Sequence, residues 1–593
     1  MAIAGAVAIS VTATGLQMAP ATAASAGTDA PWASAIALST DKAAYAPGQK
    51  VHLHISHARI GGQGRLAIKL LHLGQQIGKT AYVNTNQTGD AGFTFTPPAV
   101  DYRGYLVSVT HATQTAATKA NVGTIGVDVS SDWGKFPRYG FLSDFYITDK
   151  TQMSLAITIL NRYHINGIQF YDWQDSHNQP ITLTDGQPPT QWEDINHRTT
   201  YFDTVLNYIK LAHSRGMKAM NYNLLYGAYQ NAASEGVDPS WALYSDANAT
   251  TQASWPLPGW ESDLMLENPA NPGWQNYITA QEATVQRVLP FDGWHVDQLG
   301  GWNVYDAQGN SVDLSSAYSS FLTAAKSKLG YDLVMNAVDG FAQHEIAHSN
   351  AVKFNYTEVW NGQQTLGDLK TLIDSNAIDS ADLPGGSLNS VLAAYMDYDA
   401  ASNIGKFNTP GVLLADAAIF AAGGDHLELG EHMLGKEYFP NANLIMTPDL
   451  QWWQLVRYYD FAVAYENVLR DGVSPTRLDI TAGKVPVSTG STSTAGTVWA
   501  FARNQAKDTV VHLINLRGLD NANWRDTDGM QKTPKSQTNL KLSIAVAKKI
   551  KSVYVASPDN GGLPLNLKFT QSKGRVSVTV PSLKYWDVLV LSY

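Results

Sequence analysis

The sequence predicts an α/β architecture: a (β/α)8 TIM barrel flanked by an N-terminal immunoglobulin-like β-sandwich and a C-terminal β-sandwich. Three observations predict it. From about residue 130 to 465, short apolar runs alternate with long helical stretches, as when each strand feeds a covering helix. On either side, runs of strand length alternate apolar and polar residues between Gly, Pro, Asn and Asp. The 593 residues also exceed one core, since single domains stop growing near about 250–300 residues.

Residues 1–30 hold an apolar run closed by small residues, AIAGAVAISVTATGLQMAPATAASAG, with an A-x-A-like end around Thr22–Ala26. The run resembles a secretory signal, although no Lys or Arg precedes it; a flexible Ala-rich tail is the alternative. No other segment approaches the roughly 18 consecutive apolar residues of a membrane span. A secreted, soluble protein is expected. The net charge of −10 argues against nucleic acid or an anionic membrane as partner. The chain has no cysteine, which excludes disulfides, thiolate nucleophiles and Cys-based metal sites.

Residues 31–128 carry KVHLHIS, RLAIKLLHL, GFTFTPP and GYLVSVTHA, separated by turn-forming APGQK and NQTGDAG, as in a small sandwich. Residues 129–470 carry eight strand candidates. They are RYGFLSDF, GIQFYDWQ, KAMNYNLLYGA, GWHVDQLG, DLVMNAVDG, FNYTEVW, LAAYMDY and GVLLADAAIFAAGG. In LNYIKLAHSRGMKAMNY an amphipathic helix closes on Arg-Gly and the next strand follows at once. No G-x-G-x-x-G turn is present, so the barrel is preferred to a doubly wound sheet. Residues 471–593 hold a Ser/Thr/Gly linker, STGSTSTAG, and strands at TVWAFARN, TVVHLINLRG, KSVYVASPD, VSVTVPS and WDVLVLSY.

In a barrel the chemistry sits at the C-terminal ends of the strands. Asp144, Asp172, Asp297, Asp339, Glu358 and Asp397 end the first, second, fourth, fifth, sixth and seventh strands; Asp416 lies on the expected eighth strand and Glu428 follows it. Tyr139, Trp173, Tyr226, Trp360 and Tyr395 accompany them. Acids walled by rings suit a sugar, whose C–H faces stack while its hydroxyls find acceptors. Glycoside hydrolysis needs one protonated and one ionised carboxyl group. Asp297 and Glu358 are the expected pair. Glu358, between strand residues and Val-Trp, is expected to be desolvated and protonated; Asp297, beside His295 and Gln298, to stay ionised. Each residue alone has a plainer reading: Asp as a helix cap, Asp339 as a turn residue, His295 as a core histidine, the rings as packing. The coincidence of many acids with rings favours the site.

FPRYGFLSDF, HINGIQFYDWQ, DGWHVDQLG, YTEVW, AAYMDY and GGDHLELGEHMLGKEYFPN together resemble glycoside hydrolase family 66, which contains endo-dextranases and cycloisomaltooligosaccharide glucanotransferases. The resemblance implies Asp297 as nucleophile and Glu358 as acid/base, acting on α-1,6-linked glucan with retention. The expected partners are dextran or isomaltooligosaccharides, with no cofactor and no metal, and the protein acting as a monomer. Tyr139, Asp172, Trp173, His177, Tyr226, His295, Gln298, Asp339, Trp360, Tyr395, Asp416 and Glu428 are the expected substrate contacts. The family usually has two adjacent histidines after the second strand, whereas SHNQP keeps only His177. Cyclising members carry an extra carbohydrate-binding module inserted in the barrel region. The short run from Trp360 to Val391 leaves no room for one, which favours the dextranase branch.

Overall fold

The computed structural model describes residues 36–56, 64–112, 122–436, 438 and 443–593. The signal-like residues 1–30 and the end of the GKEYFPN run lie outside the described residues. The chain is a mixed α/β protein with many sheets.

Eight parallel strands form its centre. One sheet holds, in chain order, β1 (Tyr139–Leu142), β2 (Gly167–Phe170), β3 (Lys218–Leu224), β4 (Gly293–Asp297) and β5 (Asp332–Met335). A second holds β6 (Asn355–Glu358), β7 (Ser390–Ala393) and β8 (Gly424–His426). Isolated parallel bridges, Leu333 with Val352 and Asn336 with Tyr356, join β5 to the chain at β6. On the opposite seam the Phe141 amide of β1 donates to Leu429 O just past β8, at 3.1 Å. These strands are almost wholly buried, which explains their continuous apolar character.

Helices fill the connections: α1 (Lys150–Arg162), α2 (Phe202–Ser214), α3 (Pro272–Val288), α4 (Leu314–Leu329), α5 (Gln343–His348), α6 (Leu366–Asp379), α7 (Thr409–Ala421) and α8 (Leu455–Ala464). Four of them start where a side-chain oxygen meets a free amide. Asp149, Asn271 and Asp313 do this for α1, α3 and α4, and Thr365 with Asp368 builds a capping box at α6. None of the described helices is long and apolar enough to cross a membrane.

Two expectations need correction here. GVLLADAAIFAAGG is not the eighth strand; it is helix α7, and the strand is the short Gly424–His426 behind it. The helix is buried on nearly every side, so it has no polar stripe to betray its period. Several strands also stop earlier than expected, leaving Asp144, Asp172 and Asp397 in loops and Asp339 in the single 3-10 turn Val338–Gly340. Asp172, Asp339 and Asp397 all have positive φ (45°, 50° and 49°), a region aspartate tolerates better than most residues. Asp397 accepts the Asn408 amide at 2.6 Å, next to the start of α7.

The flanking segments are antiparallel. Val51–Ser56 pairs with Ala37–Thr40 and Ala91–Phe95; Arg65–His72, Gln75–Asn84, Arg103–His111 and Val122–Val129 form another sheet, and both contribute to one apolar cluster. This segment presses on α8: a Cβ on Gly104 would stand 2.0 Å from Val463 O. Beyond the eight strands, a seven-stranded and a four-stranded sheet share a second cluster that includes Leu540, Val578 and Leu589. STGSTSTAG is no free tether. Val487–Thr489 pairs with Val498–Asn504, and Ser493 Oγ accepts the Gly367 amide of α6 at 2.9 Å.

Candidate active site

Asp297 is the last residue of β4 and Glu358 the last of β6, with β5 running between them. The first residue past β5 therefore falls between the two carboxylates. It is Asn336. Its Nδ2 donates 2.8 Å to Asp297 Oδ1 and 3.2 Å to Glu358 Oε2, while its Oδ1 accepts the Glu358 amide at 3.1 Å. Rotating the amide by half a turn would set its oxygen against two carboxylates, so the contacts fix its orientation. Oxygens 2.8 and 3.2 Å from one nitrogen lie no farther apart than those two distances laid end to end, a limit that admits the about 5–5.5 Å of a retaining glycosidase.

Each acid has further donors. Asp297 accepts Tyr222 Oη at 2.6 Å and the Gln298 amide at 2.9 Å. Glu358 accepts the Tyr395 hydroxyl. Burial raises the pKa of Asp297, against the pull of its three donors. Burial, and then the neighbouring charge of Asp297, push Glu358 up to about 7. One site thus holds an acid kept protonated near neutrality beside a better-stabilised anion, the division that double displacement needs. Tyrosines wall it: Tyr171 stacks on Tyr438 with centroids 4.0 Å apart and leans on Tyr222 at 4.4 Å.

The structure sorts the expected contacts into three groups. Tyr395, Gln298, Trp360 and Asp172 belong to the site or its edge. Gln298 acts through its backbone amide, and its side chain donates to Asn336 O at 3.1 Å. Trp360 stacks on Tyr395 at 4.8 Å. Asp172, close enough to Asp297 to feel its charge, is pushed up to about 8, chiefly by burial.

Asp339, Tyr226 and His177 instead support loops. Asp339 accepts the amides of Trp360 (2.7 Å) and Asn361 (3.0 Å), Tyr226 Oη accepts the Leu299 amide at 2.6 Å, and His177 sits buried 2.9 Å from Asn223 Oδ1.

The others are buried in the packing around the pair. Tyr139 and His295 stack beneath the pair with centroids 5.7 Å apart, and burial lowers His295 to about 3, so it stays neutral. Trp173 is fully buried and donates to Asn221 at 2.6 Å. Asp416 and Glu428 meet His426 between the strands and the helices, away from the pair. Among the described residues this trio is the one group spaced to hold a metal ion.

Sequence reasoning missed Asn336, Tyr222 and Arg525. Extending the strand-end rule from acids to amides would have found Asn336. Arg525 comes from the C-terminal segment, yet its guanidinium donates to Val359 O at 2.8 Å and lies 5.9 Å from the Trp360 ring.

With this geometry in hand, comparison places the chain among known proteins. Residues 40–590 match the model of glycosyl hydrolase family 66. A cycloisomaltooligosaccharide glucanotransferase of Niallia circulans is 29% identical, over 93% of this chain and 71% of its own. A dextranase of Streptococcus salivarius is 28% identical, over 82% of this chain and 67% of its own. Among solved structures, a Paenibacillus sp. cycloisomaltooligosaccharide glucanotransferase complexed with cycloisomaltoheptaose superposes with a TM-score of 0.85. It is 26% identical and the match covers 93% of this chain and 99% of that one.

Proposed function

The chain belongs to glycosyl hydrolase family 66, and on that premise we propose that it is an extracellular, endo-acting, retaining enzyme that cleaves the α-1,6 linkages of dextran. The observation that carries this reading is the Asn336 amide joining the carboxylates of Asp297 and Glu358. Glu358 donates its proton to the glycosidic oxygen as Asp297 attacks C1, and the reducing-end fragment leaves. Ester formation removes the Asp297 charge, which lowers the Glu358 pKa. Glu358 then takes a proton from water, whose oxygen attacks C1 and frees Asp297. Two inversions leave the α configuration.

The scaffold proposed for this chemistry is a closed (β/α)8 barrel over 129–470, with β-sandwiches at 31–128 and 471–593. Chain-ordered parallel strands and the bonds across both seams support closure. Secretion is proposed because dextran is a polymer met outside the cell.

A glucanotransferase is the second reading, favoured by the names of two of the three relatives cited above. Against it, the 30 residues between Trp360 and Val391 hold the 14-residue helix α6, and no further module is inserted there. A time-resolved dextran digest separates the two. Linear isomaltooligosaccharides that an exo-acting glucosidase degrades support the hydrolase, and resistant cyclic products support the transferase. An intact polymer would refute both.

A further inference from the structure

The Asp416, His426 and Glu428 cluster has no part in the proposed mechanism. Leu427 joins the interior cluster with Tyr356 and Tyr395, so its neighbours His426 and Glu428 face the opposite way, toward α7 and α8. Asp416 Oδ1 lies 2.8 Å from His426 Nδ1, and Glu428 Oε2 lies 3.4 Å from the same nitrogen. All three side chains are at most 1% exposed.

Two features point to a ligand. Asp416 Oδ2 and Glu428 Oε2 are buried and have no hydrogen-bond partner, whereas buried acceptors are rarely left so. The ring is also already oriented: His426 Nε2 is 2.8 Å from Ala394 O, to which it donates, leaving Nδ1 to face both acids. A backbone carbonyl on the far nitrogen is how metal-bound histidines are commonly held. Charge agrees. The next charged neighbour of Asp416 is a further carboxylate, Asp425, whose Oδ2 already accepts the Tyr139 amide at 2.9 Å. A divalent cation would neutralise two carboxylates exactly where imidazolium could offset only one.

We propose that Asp416, His426 and Glu428 form a structural site for a small divalent cation of the zinc class, pinning α7 to β8. Two oxygens and one nitrogen are too few for calcium, which takes about 6–8 oxygens, and suit zinc. Ligands about 2.1 Å from one ion stand about 3.4 Å apart, so binding widens the 2.8 Å contact between Asp416 and His426.

The test is metal analysis of the full-length protein, purified from zinc-supplemented cells and washed with chelator. One equivalent of metal per chain is expected. Stripping it should lower the thermal midpoint by at least about 2–4 °C, and zinc should restore it. Asp416→Asn should lose the metal. His348→Ala, which removes the exposed His344–His348 pair as a competing site, should keep it. Metal-free protein whose midpoint ignores added zinc overturns the proposal, as does metal lost with His348 instead. If Asp416→Asn does not fold, the wild-type stoichiometry and midpoint decide.

Discussion

Asn336 is the residue on which the site turns, because among the described residues it alone donates to both carboxylates. Asn336→Ala removes a donor from each, so both pKa values rise. A hydrogen bond to a charged group contributes about 1.5–3 kcal/mol. Activity should fall about 10–100-fold, and the acid limb of the kcat/KM profile should move to higher pH. An unchanged profile would make Asn336 a spacer only. Glu358 supplies the basic limb. It works protonated, and its pKa of about 7 means that activity is lost as pH rises through that value. The Tyr395 hydroxyl lowers this pKa, so Tyr395→Phe should carry the basic limb upward. Asp297 and Glu358 were legible in the sequence as acids ending apolar strands. Asn336 was not, because a search for acids and rings passes over a neutral amide.

Among the elements, α7 shows where sequence periodicity runs out. A helix buried all round presents a continuous apolar run, as a buried strand does, and only its length and alanines argue otherwise. Reading it as a strand placed Asp416 and Glu428 at the site, whereas they face the helices. The caps of α1, α3, α4 and α6 are legible, since each is a local Asp, Asn or Thr pattern. Docking of elements was not. Gly104 looks like any strand glycine until α8 is packed against it. Gly104→Ala forces a Cβ onto Val463 O and should destabilise by about 1–3 kcal/mol, seen as a lower thermal midpoint with wild-type kcat at low temperature. A midpoint equal to wild type would mean that the N-terminal sheet does not press on α8 in solution.

At the scale of the molecule, the order of an antiparallel segment, an alternating α/β segment and a second antiparallel segment was legible from hydrophobic period alone. How the last segment serves the site was not, since Arg525 lies more than a hundred positions from the residues it holds. Arg525→Ala should loosen Trp360 and Tyr395 and raise KM for dextran about 2–30-fold, the range of a cation–π contact worth 0.5–2 kcal/mol. An unchanged KM would confine the C-terminal segment to a bracing role.

The central claim, that Asp297 forms a covalent bond to the sugar while Glu358 manages the protons, is tested most directly by trapping. Glu358→Gln is incubated with an isomaltosyl fluoride of α configuration, whose leaving group needs no acid, and the protein is then digested and mapped by mass spectrometry. Without its base, deglycosylation stalls, and the sugar should accumulate on the peptide that contains Asp297. An adduct on another carboxylate, or no adduct together with release of a β-configured product, would contradict the account.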